Sequence, residues 1–346
     1  MNGFIRLARR VVAKCTRNSP SVESEQSSIS SEENPNAVAT ELSLPVEIRP
    51  ATQLVVDHHS WLQKHGDLII ASGKVCCAHT TIAIHSDYGP KSQDKPTNQD
   101  YAIVWSGYRE KSDRPCFGIA VGDGLTSSYQ SDQASQLACS VALRSLVESM
   151  LSNPGSTKQA LENATGAALQ ALVIQAKEFE QDPPASCPPG QFISTWKYIL
   201  RQGKLLQTTL TLAWLEDNRL HAAIVGDSGL IWRTYQPLES AIAANCDLAT
   251  QDVNALGPAA RNPVQFDSFF EKEFRPPFLT AIFTDGIGRG LGNNPLRLLD
   301  ELERQPTTDD LNKAKCYIDN CIANAPVAHD DNLTLVEIES RDGNRN

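Results

Sequence analysis

"FGIAVGDGLTSS", Phe117 to Ser128, decides how this chain folds. An apolar run of strand length stops at Asp123 and Gly124, a charge followed by a residue with no side chain. One such junction is an ordinary strand end entering a turn. Here it recurs: "AAIVGDSG" reaches Asp227 and "AIFTDGIG" reaches Asp285. Two further runs begin with acids, "YAIVW" after Asp100 and "NLTLVEI" after Asp330 and Asp331. If these runs pair antiparallel, the end of one strand lies beside the start of its neighbour, and the acids gather at one edge of the sheets.

Clustered carboxylates repel one another and stay ionised at neutral pH only beside compensating positive charge. No Lys or Arg stands next to these junctions except Arg289. Bound cations are the natural counter-charge, and all-oxygen ligation points to magnesium or manganese. His and Cys at zinc spacing are absent from these junctions. Gly124 fits the same picture, because backbone without a Cβ can approach an ion and lend its carbonyl oxygen. Two ions about 3.5 to 4 Å apart can share a water, lower its pKa and direct it at phosphorus. The chemistry expected is hydrolysis of a phosphoester.

The chain has 346 residues, enough for one large domain with appendages, and a formal net charge of -10. That balance argues against general affinity for nucleic acid, which needs clustered Lys and Arg. Nine cysteines occur without a CxxC pair or a regular framework, so the reading is buried thiols in a reducing, cytoplasmic setting. No apolar run approaches the roughly 20 residues of a membrane-spanning helix, and no cleavable secretory signal is evident.

Three regions follow from composition. Residues 1–45 combine a basic amphipathic pattern, Phe4 to Arg17, with a Ser-, Glu-, Pro- and Asn-rich tether from Asn18 to about Ser43. The pattern could suit an anionic membrane surface or a partner, but its brevity favours a frayed terminal tail. The tether is expected to be disordered. Residues 46–340 form the folded domain and 341–346 a tail. Within the domain "DLIIASG" and "HTTIAIHSDYG" read as strands, and helices are expected over Asp132 to Ser152, Thr157 to Phe179 and Thr308 to Ala325, the last capped by Thr308. "LLQTTLTLAWLEDNRLHAAIVGDSGLIWR" reads as two long strands with a Glu-Asp-Asn-Arg turn. Tyr235 to Pro277 reads as an irregular surface excursion. His58 and His59 read as residues of a surface segment, and His329 as an ordinary loop histidine, its neighbour Asp331 leaving open a role in tuning a metal-bound water or shuttling a proton.

In order, "NQD", "VGDG", "QTTLTLAWL", "VGDSG", "FTDGIG" and "DDNLTLVEI" resemble the metal-dependent serine/threonine protein phosphatases of type 2C, over about Thr80 to Ile338. The resemblance implies an α+β, four-layer αββα sandwich, two antiparallel sheets flanked by helix pairs, with a two-metal centre at one end. It implies that Asp100, Asp123, Asp285 and Asp331 form the catalytic centre, with Asp123 bridging two Mg2+ or Mn2+ ions and Gly124 giving its carbonyl. Asn332 completes the family's Asp-Asn pair, and Asp227 matches a position for an additional, weaker metal. The implied partners are proteins phosphorylated on serine or threonine. The implied reaction is direct attack of a metal-bridging water; the alternative is a catalytically silent, phosphoprotein-binding relative.

Three departures bear on this transfer. Leu125, Thr126 and Ser127 follow Asp123-Gly124 where many relatives place His or Met and two glycines, so no histidine acid is available there and solvent must supply the leaving-group proton. The loop before "NQD" offers Lys95, or Lys91, to hold phosphate where relatives use Arg, and a lysine is a point charge rather than a planar fork. Arg289 stands four residues after Asp285, where the family often has another acid, and disfavours a third cation.

Overall fold

The computed structural model describes residues 51–89, 97–109, 114–152, 155–181, 198–199, 202–244, 254–260, 264–305, 311–324 and 331–341. Residues 1–45, Lys91, Lys95, Thr308, His329 and Asp330 lie outside the described residues. Along the chain the elements are α1 (Ala51–His65), β1 (Asp67–Ile70), β2 (Ser72–Cys77), β3 (Thr80–Asp87), β4 (Asp100–Tyr108) and β5 (Pro115–Asp123). Next come α2 (Ser131–Ser152), α3 (Thr157–Gln181), β6 (Leu210–Glu216), β7 (Arg219–Val225), β8 (Gly229–Tyr235) and β9 (Leu238–Ala244). The last are β10 (Ser268–Glu273), β11 (Phe278–Phe283), α4 (Asp285–Leu291), α5 (Arg297–Arg304), α6 (Lys313–Asn324) and β12 (Leu333–Ser340).

The strands form two six-stranded antiparallel sheets, one in the order β1-β4-β5-β6-β7-β10 and the other β2-β3-β12-β11-β8-β9. β4 shows why the central runs are continuously apolar. Side chains alternate between faces along a strand: Ile103 and Trp105 enter the layer under α2 and α3, while Ala102 and Val104 enter the layer between the sheets. Both faces are covered, so both must be apolar. On the far side, Ala83, Leu279 and Ala281 pack against Leu298 and Leu299 of α5 and Ile318 of α6. The α+β, αββα layering expected above is therefore present, with α2–α3 and α5–α6 as the flanking pairs, supplemented by α1 and the short α4.

Trp105 and Trp214 are wholly buried and stack at 6.0 Å between ring centroids, with Trp105 Nε1 donating to Leu62 O of α1 at 3.2 Å. α1 itself was not foreseen, and His58 and His59 do not sit free on a surface loop. His59 Nε2 lies 2.9 Å from Ser140 Oγ and 3.1 Å from the Tyr101 hydroxyl. Burial holds His58 down at about 4, with the Arg144 guanidinium adding to the effect. Leu54, Val55, His58, His59, Trp61 and Leu62 do keep helical spacing once the imidazoles are counted as half-apolar.

Other expectations are corrected. "DLIIASG" spans two strands of different sheets: Ala71, at φ 60, donates to Ala102 O of one sheet and accepts from Ser86 N of the other. The supposed long hairpin is three strands. Asp217 and Asn218, at φ 53 and 61, make the tight β6–β7 turn, and the chain then crosses sheets at Gly226, φ 107, into β8. Tyr235 to Pro277 contains the edge strands β9 and β10, none of whose side chains is fully buried, so they gave no clear apolar period. The last helix begins at Lys313 rather than Thr308. Asn312 is its cap, its Oδ1 accepting Lys315 N at 2.9 Å. Among the described cysteines, Cys116, Cys139 and Cys321 are buried as expected, but Cys76 is exposed.

Candidate metal centre

Asp100 opens β4 and Asp123 closes β5, and the antiparallel register sets them directly opposite one another. The second sheet supplies the other pair. Phe283, last of β11, lies opposite Leu335 of β12, so Asp285 and Asp331 leave that sheet at the same end. Thr284 ties the two sheets together: its Oγ1 donates to Asp100 Oδ2 at 2.8 Å and accepts Thr334 N at 3.2 Å. Asn98 Oδ1 accepts Asp100 N at 3.0 Å, Asn98 Nδ2 donates to Ser86 Oγ at 3.0 Å, and Thr334 Oγ1 reaches the same Ser86 at 2.7 Å. Asp123 is fixed through its backbone, with N donating to Thr209 Oγ1 at 3.0 Å and O accepting Thr209 N at 2.8 Å. These hydroxyls were not singled out from sequence. Their signal was adjacency to the acids, as in "FTDG".

Gly124 is required by close approach: a Cβ there would run into the Ser131 and Gln99 carbonyl groups. The start of α2 is thereby pressed against the acid-bearing strand ends. Asn332, next to Asp331, is 2 % exposed, and neither end of its side-chain amide has a hydrogen-bond partner.

The electrostatics divide the four acids into two unlike pairs. Burial pushes Asp100 up to about 7, with Asp285 adding to the rise while Thr284 and Thr334 oppose it. Asp123 is raised well above the carboxylate range, by lost hydration first and then by Asp100, Asp285 and Asp331. The carboxylates of all three other acids therefore act on Asp123. Among the described residues, neither Asp100 nor Asp123 pairs with a Lys or Arg. Asp285 and Asp331 do: Arg289 Nη1 donates to Asp331 Oδ2 at 3.0 Å and Nη2 donates to Asp285 Oδ2. Asp227, at the sheet crossing, is raised to about 6 by burial and then by Asp285. The four aspartates do not close into a tight cage. Among the described residues, the only three carboxylate, imidazole or thiolate donors within 4.8 Å of one another belong to His85, Asp87 and Asp319.

The donor set fits divalent cations, unequally. Among the described residues, the pair of buried Asp100 and half-buried Asp123 has no basic partner, the environment a hard dication relieves. At Asp285 and Asp331 a cation must displace a guanidinium.

A pH signature follows. Asp100 has a folded pKa of about 7 against 3.8 for the free group, so its protonated form favours the fold. That stability is complete below about pH 4 and is lost as pH rises through 7. In chelator, Asp100→Asn should match the wild-type melting temperature near pH 4 and exceed it increasingly toward pH 8. The comparison cancels the depressed histidines, which act alike in both proteins. A constant difference across this range would contradict the assignment.

The sequence profile of protein phosphatase 2C matches residues 91–315. The chain belongs to the protein phosphatase 2C family. A serine-threonine phosphatase 2C from Toxoplasma gondii superposes with a TM-score of 0.55 and 15% identity, covering 80% of this chain and 100% of that one. The Mycobacterium tuberculosis serine/threonine phosphatase PstP/Ppp superposes with a TM-score of 0.50 and 18% identity, covering 76% of this chain and 99% of that one. The PstP catalytic domain in complex with 2 manganese ions gives the same values. At these identities the likeness is one of fold. No curated protein matches the chain. The phosphatase 2C fold thus accounts for both sheets and the helices that flank them. Among the described residues no helix is long and apolar enough to cross a membrane.

Proposed function

We propose that this phosphatase 2C relative hydrolyses phosphoserine and phosphothreonine in proteins with two Mg2+ or Mn2+ ions. Asp100, Asp123, Asp285, Asp331 and the Gly124 carbonyl would hold the ions, and Asp227 would serve an additional, weaker one. Bound there, such ions lower the pKa of water and draw charge from a phosphoryl group. The remaining work falls to the chain. Thr284 and Thr334 orient Asp100 and hold the two sheet ends in register. Lys95 or Lys91 would hold substrate phosphate as a point charge. Thr126 Oγ1 lies 3.4 Å from Gln99 Oε1, and Leu125 to Ser127 offer no imidazole, so the leaving alkoxide takes its proton from solvent. We further propose a domain spanning 46–340 that acts in the cytoplasm, with residues 1–45 and 341–346 as tails, and the basic face of residues 4–17 as a weak membrane or partner contact.

The observation carrying this reading is the facing pair of buried Asp100 and half-buried Asp123, which has no basic partner among the described residues. A stability-driven sequence would replace such a pair by amides. A second reading, a silent phosphoprotein-binding module, is favoured by Arg289, whose guanidinium engages both Asp285 and Asp331. The deciding measurement is phosphate release from a phosphothreonine peptide with manganese, which should vanish in chelator. Saturable binding of the peptide without release would decide for the silent module.

A further inference from the structure

We propose that His85, Asp87 and Asp319 form a separate site for a divalent transition-metal ion, with zinc the best fit to the donors. The site lies on the outer face of the second sheet, under α6, and does not rest on the phosphatase reading. His85 and Asp87 are two apart on β3 and share a face; Ala83, on that face, belongs to the core beneath α5 and α6. Asp319 comes from α6, and one donor atom from each residue lies within 4.8 Å of the others. His85 Nε2 is 3.6 Å from Asp87 Oδ2, beyond a hydrogen bond and close to the roughly 3.4 Å edge of a tetrahedron with ligands at about 2.1 Å.

The imidazole points to a ligand independently of the acids. The His85 side chain is 9% exposed, and its Nε2 is buried without a hydrogen-bond partner. Its charged neighbour is the Asp87 carboxylate at 3.6 Å, too far for a hydrogen bond, and a buried nitrogen without one costs stability unless something binds it. The opposite nitrogen is already committed: Nδ1 lies 2.8 Å from Ser72 Oγ. With Nδ1–H donating to that hydroxyl, the lone pair sits on Nε2, the arrangement by which a second partner orients a ligating histidine. Burial also lowers the His85 pKa, which keeps the ring neutral and able to ligate at pH 7.

The scaffold is pinned. Asn312, the α6 cap, donates from Nδ2 to Gly73 O and Ile84 O, both at 2.9 Å. These carbonyls neighbour Ser72 and His85, so the start of α6 is locked beside the imidazole. Asp87 Oδ1 accepts Tyr88 N at 2.7 Å, which leaves Oδ2 to face His85. One competitor is present: Lys315 Nζ holds Asp319 Oδ1 at 2.9 Å and Oδ2 at 2.7 Å. Lys315 is half exposed and can swing into solvent. One nitrogen and two carboxylates suit zinc, and magnesium would not take the imidazole.

The test is a Co2+ titration, as a spectroscopic stand-in for zinc, of the full chain saturated with magnesium. The wild type should bind one Co2+ with visible absorption and no near-ultraviolet thiolate band. His85→Gln and the exposed Asp319→Asn should each weaken binding at least about tenfold, while Lys315→Ala should tighten it severalfold by removing the competing ammonium. Equal Co2+ affinity in wild type, His85→Gln and Asp319→Asn would overturn the proposal. So would a thiolate band on all the Co2+ bound.

Discussion

Asp123→Asn is expected to abolish metal-dependent phosphate release and, in chelator, to make the protein more stable. The two effects have opposite signs for one reason. Asp123 is pressed by Asp100, Asp285 and Asp331 and by lost hydration, so without an ion its charge opposes folding. Asparagine keeps the shape and removes that charge. The ion-free melting temperature should therefore rise by a few degrees at pH 7.5, since one unit of pKa shift is about 1.4 kcal/mol and each kcal/mol moves a domain of this size roughly 2–4 °C. Turnover should fall by more than about a hundredfold, because even outer partners of a metal site cost 10–100-fold when lost. Manganese, which should raise the melting temperature of the wild type, should raise that of the variant far less. An Asp123→Asn protein that is less stable in chelator, or that retains turnover, would remove the basis of the two-ion reading.

Arg289→Ala is expected to strengthen manganese binding at the Asp285–Asp331 half by about tenfold or more. In the wild type the ion competes there with a guanidinium bonded to both acids. Removing it leaves the acids, 10% and 18% exposed, without that partner. A cost to the ion-free fold follows, near 1 kcal/mol rather than the several of a fully buried pair, because Arg289 is itself 41% exposed. Manganese electron paramagnetic resonance can count ions per chain without recourse to activity. Two sites of similar affinity in the variant, against one tight and one weak in the wild type, is the expected result. Identical binding curves would mean that Arg289 gives up its partners at no cost.

The central strands were legible because each is apolar on both faces, and the acids were legible because they terminate those strands. Register then brought Asp100 opposite Asp123 without any long-range signal being needed. What escaped is of three kinds. β9 and β10 lie at sheet edges, where little burial leaves little pattern. The sheet changes at Ala71 and Gly226 depend on single residues with positive φ, which interrupt an apolar run too briefly to read as a break. Arg289 was legible as a basic residue near the acids, but its double engagement depends on Asp331 arriving from β12's approach. The same holds for Asp319 under β3: His85 and Asp87 are two residues apart in sequence, and their third partner is far from both.

The paired indoles of Trp105 and Trp214 lie 6.0 Å apart, and one of them is hydrogen-bonded to α1. Buried in that layer, the two rings should contribute to the near-ultraviolet dichroism from the helix-covered side of the molecule. Loosening of the layer should reduce that contribution while the strands beneath kept their far-ultraviolet spectrum. The molecule thus carries its own optical gauge of helix docking, placed well away from the acidic end where ions are added.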